Sequence, residues 1–139
     1  MKKFIIYFFL VSMVASCKKD KVCNLDLAGV SGSYKITAVR YKATPASAEA
    51  DYFNILFTDP CDRDDLYTFN ANGTYLFADA GVICAPPNSD SGAWSLAGNT
   101  MTIDGDPGNV DQFNCSSLTI SQSGALVVGD KLIIVFTRQ

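Results

Sequence analysis

The stretch from Cys61 to Cys84 constrains the fold most, because two alternating segments in it flank a turn and a cysteine stands outside each segment. Alternation of apolar and polar residues over four to eight positions is typical of a half-buried strand. The turn, residues 70–73, contains the Asn-Gly pair that favours β-hairpins. The sequence therefore predicts a hairpin with strands near residues 65–70 and 73–79.

The length of the hairpin loop decides which side chains share a face. A three-residue loop with a left-handed Gly73 places Phe69 opposite Tyr75 and Tyr67 opposite Phe77, so that all four aromatic rings fall on one face. Cross-strand aromatic pairs of this kind stabilise a sheet. A two-residue loop would divide the four rings between the two faces, so the three-residue loop is favoured.

The N-terminus has the features of an export signal. A basic start precedes an almost wholly apolar run, residues 4–15, which is shorter than the roughly 20 residues of a transmembrane helix. Val14-Ala15-Ser16-Cys17 resembles the bacterial lipobox, which implies cleavage before Cys17 and attachment of lipid, including palmitate, to that cysteine. We therefore expect residues 1–16 to be a lipoprotein signal peptide, and the mature protein to be anchored in the cell envelope.

The segment after Cys17 is charged, with the sequence Lys18-Lys19-Asp20-Lys21. It is either a solvated tether, the favoured interpretation, or a sorting signal of the kind that takes lipoproteins to the cell surface. We assign residues 17–31 to the lipidated cysteine and tether, and residues 32–139 to one domain. The membrane is expected to be the outer membrane, on its periplasmic or its surface face.

The net charge of the chain is −3, and it becomes −5 once Lys2 and Lys3 leave with the signal peptide. This balance argues against nucleic acid as a partner, because nucleic-acid binding needs a basic surface.

Four cysteines remain in the mature chain: Cys23, Cys61, Cys84 and Cys115. An even number in an exported protein indicates disulfides, and four cysteines allow three pairings. The hairpin register favours Cys61–Cys84, because these two residues miss facing each other by about one position, and this leaves Cys23–Cys115. The alternative is that some thiols stay free. The spacings lack the close pair that a Cys₄ metal site requires.

Further alternating segments indicate an all-β domain of roughly eight antiparallel strands, arranged as a sandwich or an up-and-down barrel. A barrel removes exposed sheet edges, and its last strand would pair with the first. Besides the hairpin, the predicted strands are 32–41, 92–96, 100–104, 113–121, 125–128 and 131–137, and the predicted loops are 43–59 with a short helix, 80–91 and 105–111.

The order of several short motifs resembles the lipocalin-like domain of small bacterial lipoproteins. These motifs are Gly32-x-Tyr34, Cys61-x-x-Asp64-Asp65, Phe69-x-x-Asn72-Gly73-Thr74-Tyr75, Cys84 and Gly92-x-Trp94-Ser95-Leu96. The resemblance covers nearly the whole mature chain and implies a small barrel with an internal cavity. The lipocalin pattern has Trp where this chain has Tyr34, and it implies that Arg138 stacks across Tyr34 at the closed end of the barrel.

The chain lacks the residues on which most catalytic mechanisms depend. There is no histidine, so Ser-His-Asp and Cys-His arrangements and His-based metal sites are excluded. Asp59, Asp62, Asp64 and Asp65 could form a calcium site or an acid–base pair, but turn capping with Arg63 as counter-charge is favoured.

A second acidic stretch, residues 104–111, has the outline of an EF-hand start. Gly108 stands where a ligand is expected at the fifth position, and no Glu follows at the twelfth. We therefore predict no catalytic residue, no metal and no cofactor.

The aromatic residues are the remaining candidates for a binding site, since they could line a cavity or simply fill the barrel. The candidate ligand-binding residues are Tyr34, Tyr67, Phe69, Tyr75, Phe77 and Trp94. The leading hypothesis is binding of a small hydrophobic ligand in the barrel. The alternative is a non-catalytic protein-interaction module, such as an envelope-associated inhibitor or accessory subunit, with loops 43–59, 80–91 and 105–111 as its contacts.

Overall fold

The structure, a computed structural model, describes residues 23–139. The predicted signal peptide, the lipidation site Cys17 and the charged segment after it lie outside the described residues, so these assignments stay predictions. No helix in the described part of the chain is long and apolar enough to cross a membrane.

Nine strands, two short helices and one 3₁₀ turn make up the described chain. In order they are α1 (Leu27–Val30), β1 (Gly32–Lys42), β2 (Ala50–Asp51), α2 (Phe53–Leu56), the 3₁₀ turn (Pro60–Arg63), β3 (Leu66–Phe69), β4 (Thr74–Ala78), β5 (Ser89–Ala97), β6 (Thr100–Ile103), β7 (Asp106–Phe113), β8 (Ser117–Ser123) and β9 (Lys131–Arg138).

The strands form one antiparallel sheet that closes on itself. From β3 to β9 each strand pairs with the next, while β1 pairs with β3 on one side and with β9 on the other. The closed ring contains eight strands, and the short β2 pairs only with the far end of β1. The prediction of an all-β, roughly eight-stranded up-and-down barrel is confirmed. Closure gives every strand of the ring a partner strand on both sides, which an open sheet does not provide for its edge strands.

The hairpin of β3 and β4 has the predicted register. Phe69 lies opposite Tyr75, and Tyr67 lies opposite Phe77. Gly73 has a φ of +83°, and its N–H donates to the Asn70 carbonyl at 3.0 Å. This left-handed residue is what the three-residue loop requires.

Two disulfides tie the ends of the sheet. Cys61 is joined to Cys84 with a Cα–Cα distance of 5.3 Å, and Cys23 is joined to Cys115 with 5.4 Å. The first is the pair that the hairpin register favours, and the second is the pair that it leaves. The first closes the open end of the β3–β4 hairpin, and the second attaches the segment before α1 to the turn between β7 and β8.

Helix α1 covers the end of the barrel at which β1 begins. Its Val30 is fully buried, so packing starts inside the segment 17–31 that the sequence groups with the tether. The Tyr34 hydroxyl donates to the Val30 carbonyl at 2.7 Å and accepts from Arg138 Nε at 3.1 Å. Arg138 Nη2 donates to the Gly29 carbonyl at 2.6 Å, and Arg138 Cζ lies 5.1 Å from the Tyr34 ring centroid. The Tyr34–Arg138 contact implied by the family resemblance is therefore present.

The prediction of a loop at residues 105–111 is wrong, because these residues belong largely to β7. Asp104 and Gly105 have φ values of +50° and +92°, which form a tight turn, and Ile103 pairs directly with Asp106. Asp-Gly is a preferred pair in two-residue hairpin turns. Most residues of β7 are polar or exposed, so the sequence of this segment does not have the apolar pattern of a strand.

The predicted strand 113–121 is in fact divided between two strands. The Asn114 side-chain oxygen accepts the N–H of Ser117 at 2.8 Å, and Cys115 has a φ of +62°. These features make a turn after β7, and β8 begins at Ser117.

The predicted strand 125–128 is also wrong, because a buried carboxylate takes the backbone donors of these residues. Asp130 is only 2% exposed, and its side chain accepts the N–H groups of Ala125, Leu126 and Val127 at 2.8, 3.0 and 2.8 Å. Backbone donors bound in this way cannot join a sheet, so the segment forms a tight loop between β8 and β9.

The hydrogen bonds to Asp130 also determine the direction in which its pKa is shifted. Burial by itself raises the pKa of the carboxyl, but the N–H groups of Val127, Leu126 and Ala125 together with the Tyr41 hydroxyl outweigh it, and the pKa is lowered. A lowered folded-state pKa means that the ionised group stabilises the fold above the ordinary carboxyl pKa of 3.8, and that this stabilisation is lost as the pH falls through the folded-state pKa.

We expect the two disulfides to contribute unequally to stability, because they close loops of different length. The sequence separations are 92 for Cys23–Cys115 and 23 for Cys61–Cys84. Replacing the first pair by Ser should lower the free energy of unfolding by about 4–5 kcal/mol, and replacing the second pair by about 3 kcal/mol. Urea titrations followed by Trp94 fluorescence measure both, and equal or reversed losses would contradict the expectation.

We further expect Asp130→Asn to cost stability in a pH-dependent way. The difference in free energy of unfolding from the wild type should be constant well above the ordinary carboxyl pKa of 3.8 and should shrink as the pH falls below it through the lowered folded-state pKa, because the carboxylate then becomes protonated in both states. The same urea titrations, repeated across this pH range, provide the measurement. Asp59→Asn, at an exposed position, is the charge-matched control, and a pH-independent difference for Asp130→Asn would refute this account.

Candidate functional site

The inward-facing residues near α1 form a filled aromatic layer. Tyr34, Phe69, Tyr75 and Trp94 are all buried. The Phe69 ring lies in the middle, with its centroid 5.9 Å from that of Tyr34 and 5.3 Å from that of Trp94. The Trp94 indole N–H donates to the Asn70 carbonyl at 2.9 Å, so its one polar group is satisfied. This end of the barrel is therefore packed core.

Tyr67 and Phe77 continue the aromatic layer toward the other end and are only partly buried. Their ring centroids are 5.0 Å apart, and Tyr67 meets the edge of Phe136 at 5.7 Å. The structure thus brings the six candidate residues together in one interior cluster. None of the six is among the residues that line the cavity described next, so their contact with a ligand stays a prediction.

A cavity of about 240 Å³ lies beside this cluster, toward the end of the barrel opposite α1. Its apolar wall comes from inward-facing positions of β6, β8 and β9. The lining residues are Met101, Ile103, Asp104, Asp106, Pro107, Gly108, Ile120, Gln122, Ile134 and Phe136. Gly108 keeps the space open on β7, because a Cβ there would come within 2.5 Å of Ile120 Cγ2.

Two other clefts are larger, at about 320 and 360 Å³; the first lies along the middle of β1 beside β2, and the second lies at strand ends and loops. The first includes Arg40, Glu49 and Asp51, and the second includes Lys42 and Lys131. Arg40 and Glu49 form an ion pair with each other at 2.9 Å. Their charged lining makes both clefts less suited to an apolar molecule than the 240 Å³ cavity.

A fixed carboxylate stands at the edge of the cavity. The Tyr75 hydroxyl donates to Asp104 Oδ2, and Asp104 Oδ1 accepts the Ala93 N–H at 3.0 Å. Gly92 makes room for this carboxylate, because a Cβ at that position would lie 2.0 Å from Asp104 Oδ1. The hydrogen bond to the anion, followed by burial, raises the pKa of Tyr75 to about 12, so its hydroxyl stays a donor.

The acidic residues next to Cys61 organise the loop after β4. Asp64 Oδ2 accepts the Val82 N–H at 2.8 Å, and Asp65 Oδ1 accepts the Ala80 N–H at 3.3 Å. Burial, together with neighbouring carboxylates, raises the pKa of Asp65. The carboxylates of Asp64 and Asp65 thus cap backbone donors, as the favoured interpretation expects.

The structure does not assemble the metal-binding alternatives. Within residues 23–139 Cys61, Asp62 and Cys84 lie close enough to share an ion, but the disulfide consumes both thiolates. In the EF-hand-like stretch, Asp106–Phe113 is a strand, which alternates its side chains between the two faces of the sheet and cannot wrap around one ion.

The aliphatic lining of the cavity was not singled out from the sequence. Ile120 and Gln122 follow an inward-facing Leu118 at every second position of β8, which is the signal that could have found them. On β9 the run of apolar residues on both faces hides the fact that Ile134 faces inward. Only the closed sheet brings these strands around one space.

The comparisons with known proteins agree with this architecture. Residues 30–122, about two thirds of the chain, match the family model described as the lipocalin-like domain. Neither the curated proteins nor the solved structures yield a match. The matched segment begins at the last residue of α1 and contains the lining residues of β6, β7 and β8. The chain therefore belongs to the lipocalin-like domain family, whose β-barrel fold is suited to binding small ligands.

Proposed function

We propose that the protein is a membrane-anchored lipoprotein whose lipocalin-like barrel binds a small hydrophobic molecule without catalysis. The observation that carries this proposal is the cavity inside the closed ring, whose wall is formed by Met101, Ile103, Ile120, Ile134 and Phe136. Ligand pockets are concave, mostly apolar and supplied with a few polar groups, and this cavity has that composition.

The size of the cavity limits the ligand. Its volume of about 240 Å³ is slightly below the roughly 300–1,000 Å³ of common small-molecule sites. The aromatic layer under the cavity leaves no room for a long chain, because Phe69 and Trp94 are 1% and 3% exposed. A compact molecule with a single ring or a short branched chain matches this space.

The proposed anchor leaves the mouth of the barrel accessible. Cys23 is tied to Cys115 in the turn between β7 and β8, at the end of the barrel that α1 covers. Lipid on Cys17, only six residues before Cys23, would hold this end near the membrane. The cavity opens toward the other end, so a ligand would enter from the aqueous side.

The absence of catalysis is proposed from the polar groups available. The chain contains no histidine, and the polar side chains that line the cavity are Asp104, Asp106 and Gln122. The lining contains no hydroxyl or thiol nucleophile with an adjacent base, which is the arrangement that covalent catalysis uses.

A protein-interaction module is the second candidate, because aliphatic side chains are exposed on two loops. Val82 and Ile83 are exposed after β4, and Leu126, Val127 and Val128 are exposed on the loop held by Asp130. Of the three contact loops predicted for this function, residues 105–111 belong largely to β7 and so cannot serve as a loop contact.

We expect filling the cavity to abolish ligand binding. A small neutral probe, 2-phenylethanol, should shift the ε-methyl resonance of Met101, which is buried and lines the cavity. Ile103→Trp fills the space and should remove the shift, whereas Thr102→Trp, one position along on the opposite face, should leave it. Methyl NMR of the full chain measures this, with the resonance assigned through Met101→Leu.

A shift of the same size in both Trp variants would contradict binding in the cavity. Native mass spectrometry of the protein taken from its own envelope separates the two candidate functions. A copurifying small molecule supports the ligand-binding barrel, and a stoichiometric protein supports the interaction module.

We expect labelled fatty acid to enter the protein in growing cells and to be absent from Cys17→Ser, because this cysteine would carry the lipid. The combined Cys23→Ser and Cys115→Ser variant is the matched control and should keep the label. Radiolabel or click detection after purification provides the measurement, and full labelling of Cys17→Ser would refute the anchor.

A further inference from the structure

The polar edge of the cavity indicates which kind of small molecule fits it. We infer that the ligand is a compact apolar amine, whose positive charge lies against Asp104 and Asp106 and whose apolar body lies against Met101, Ile103 and Ile134. This inference rests on the proposed function, because it requires the cavity to be a binding site.

The charged residues in the cavity lining are all negative. Two of the ten lining residues are carboxylates, and none is basic. A third carboxylate, Asp90, lies opposite Phe77 on the inward face of β5 and contributes to the electrostatic field at Tyr75 together with Asp104. The open edge formed by β5, the β6–β7 turn and the start of β7 is therefore negative.

The protein does not neutralise these carboxylates itself. The two ion pairs among residues 23–139 are Arg40–Glu49 and Lys131–Asp111, and neither involves the cavity. Arg138 lies at the other end of the barrel, where it donates to the Gly29 carbonyl. A cationic ligand would supply the missing positive charge, whereas a carboxylate such as a fatty acid would be repelled.

The position of Asp104 is prearranged for such a ligand. The Tyr75 hydroxyl and the Ala93 N–H each donate to one of its oxygens, and each oxygen keeps a further lone-pair site. Gly92 provides the space that fixes this carboxylate next to the strand. An acceptor held in place by the protein loses little freedom when it binds an ammonium group.

Asp106 differs from Asp104 in being uncommitted. Both residues are exposed, and Asp106 begins β7 on the same face as Gly108, but the Asp106 carboxylate makes no hydrogen bond or ion pair with another described residue. Its side chain is therefore free to turn toward a bound ammonium group. Charge-assisted hydrogen bonds of this kind are about twice as strong as neutral ones.

The test uses three probes that share one apolar body and differ in charge: 2-phenylethylamine, 2-phenylethanol and 3-phenylpropionate. Their affinities are measured from the Met101 ε-methyl shift of the purified full chain in detergent micelles at neutral pH. We expect the amine to bind roughly tenfold more tightly than the alcohol, and the acid to bind more weakly than the alcohol.

One combined variant and one control test whether Asp104 and Asp106 cause the preference for the amine. Asp104→Asn and Asp106→Asn combined should bring the affinity for the amine down to that for the alcohol. Asn tolerates the left-handed backbone at position 104, whose φ is +50°, so this variant should keep the turn. Asp59→Asn removes an exposed carboxylate that does not line the cavity and should leave the preference unchanged.

The outcomes separate this inference from the function on which it rests. If the alcohol binds as tightly as the amine, the inference is overturned while ligand binding in the cavity stands. If no probe shifts Met101, both fail. An amine preference that survives in the Asp104→Asn and Asp106→Asn variant also overturns the inference, because the charge would then be recognised elsewhere.

Discussion

The pairing of β1 with β9 is the contact on which the rest of the structure depends. It joins strands from the two ends of the domain, from Tyr34 opposite Arg138 to Lys42 opposite Lys131, and it turns a sheet with two open edges into a ring. Without it the barrel has no interior, and two long strands have unpaired backbone groups. The side chains of Tyr34 and Arg138 reinforce this closure, since they share hydrogen bonds with each other and with α1.

The two ends of the barrel interior differ in how completely side chains fill them. Near α1 the rings of Tyr34, Phe69 and Trp94 fill the space, which gives dense apolar packing where the ring is closed. Toward the other end Met101, three isoleucines and Phe136 line the interior, and Gly108 contributes no side chain, so a cavity remains. One end of the barrel therefore stabilises the fold, and the other is available to a ligand.

The two ends of the barrel also differ in the groups that they present: a disulfide at the covered end, and carboxylates and an aliphatic loop at the open end. The Cys23–Cys115 disulfide places Cys23, the first described residue, at the covered end, so the proposed anchor on Cys17 would not obstruct the cavity. The open end has the carboxylates of Asp104 and Asp106 and the aliphatic loop held by Asp130. If Cys17 carries the proposed lipid, this open end faces away from the membrane.

Sequence alone determined the fold class, the β3–β4 register and the two favoured disulfides, because these depend on local alternation and on the Asn-Gly turn. It misplaced the strands on either side of Cys115, because β7 is rich in polar residues. It also predicted a strand at 125–128, where the Asp130 carboxylate binds the backbone N–H groups that a strand would need. Only the tertiary structure decided that Met101, Ile120 and Ile134 surround one cavity with Asp104 at its edge. Those residues are brought together by ring closure, and no periodicity within a single strand contains that information.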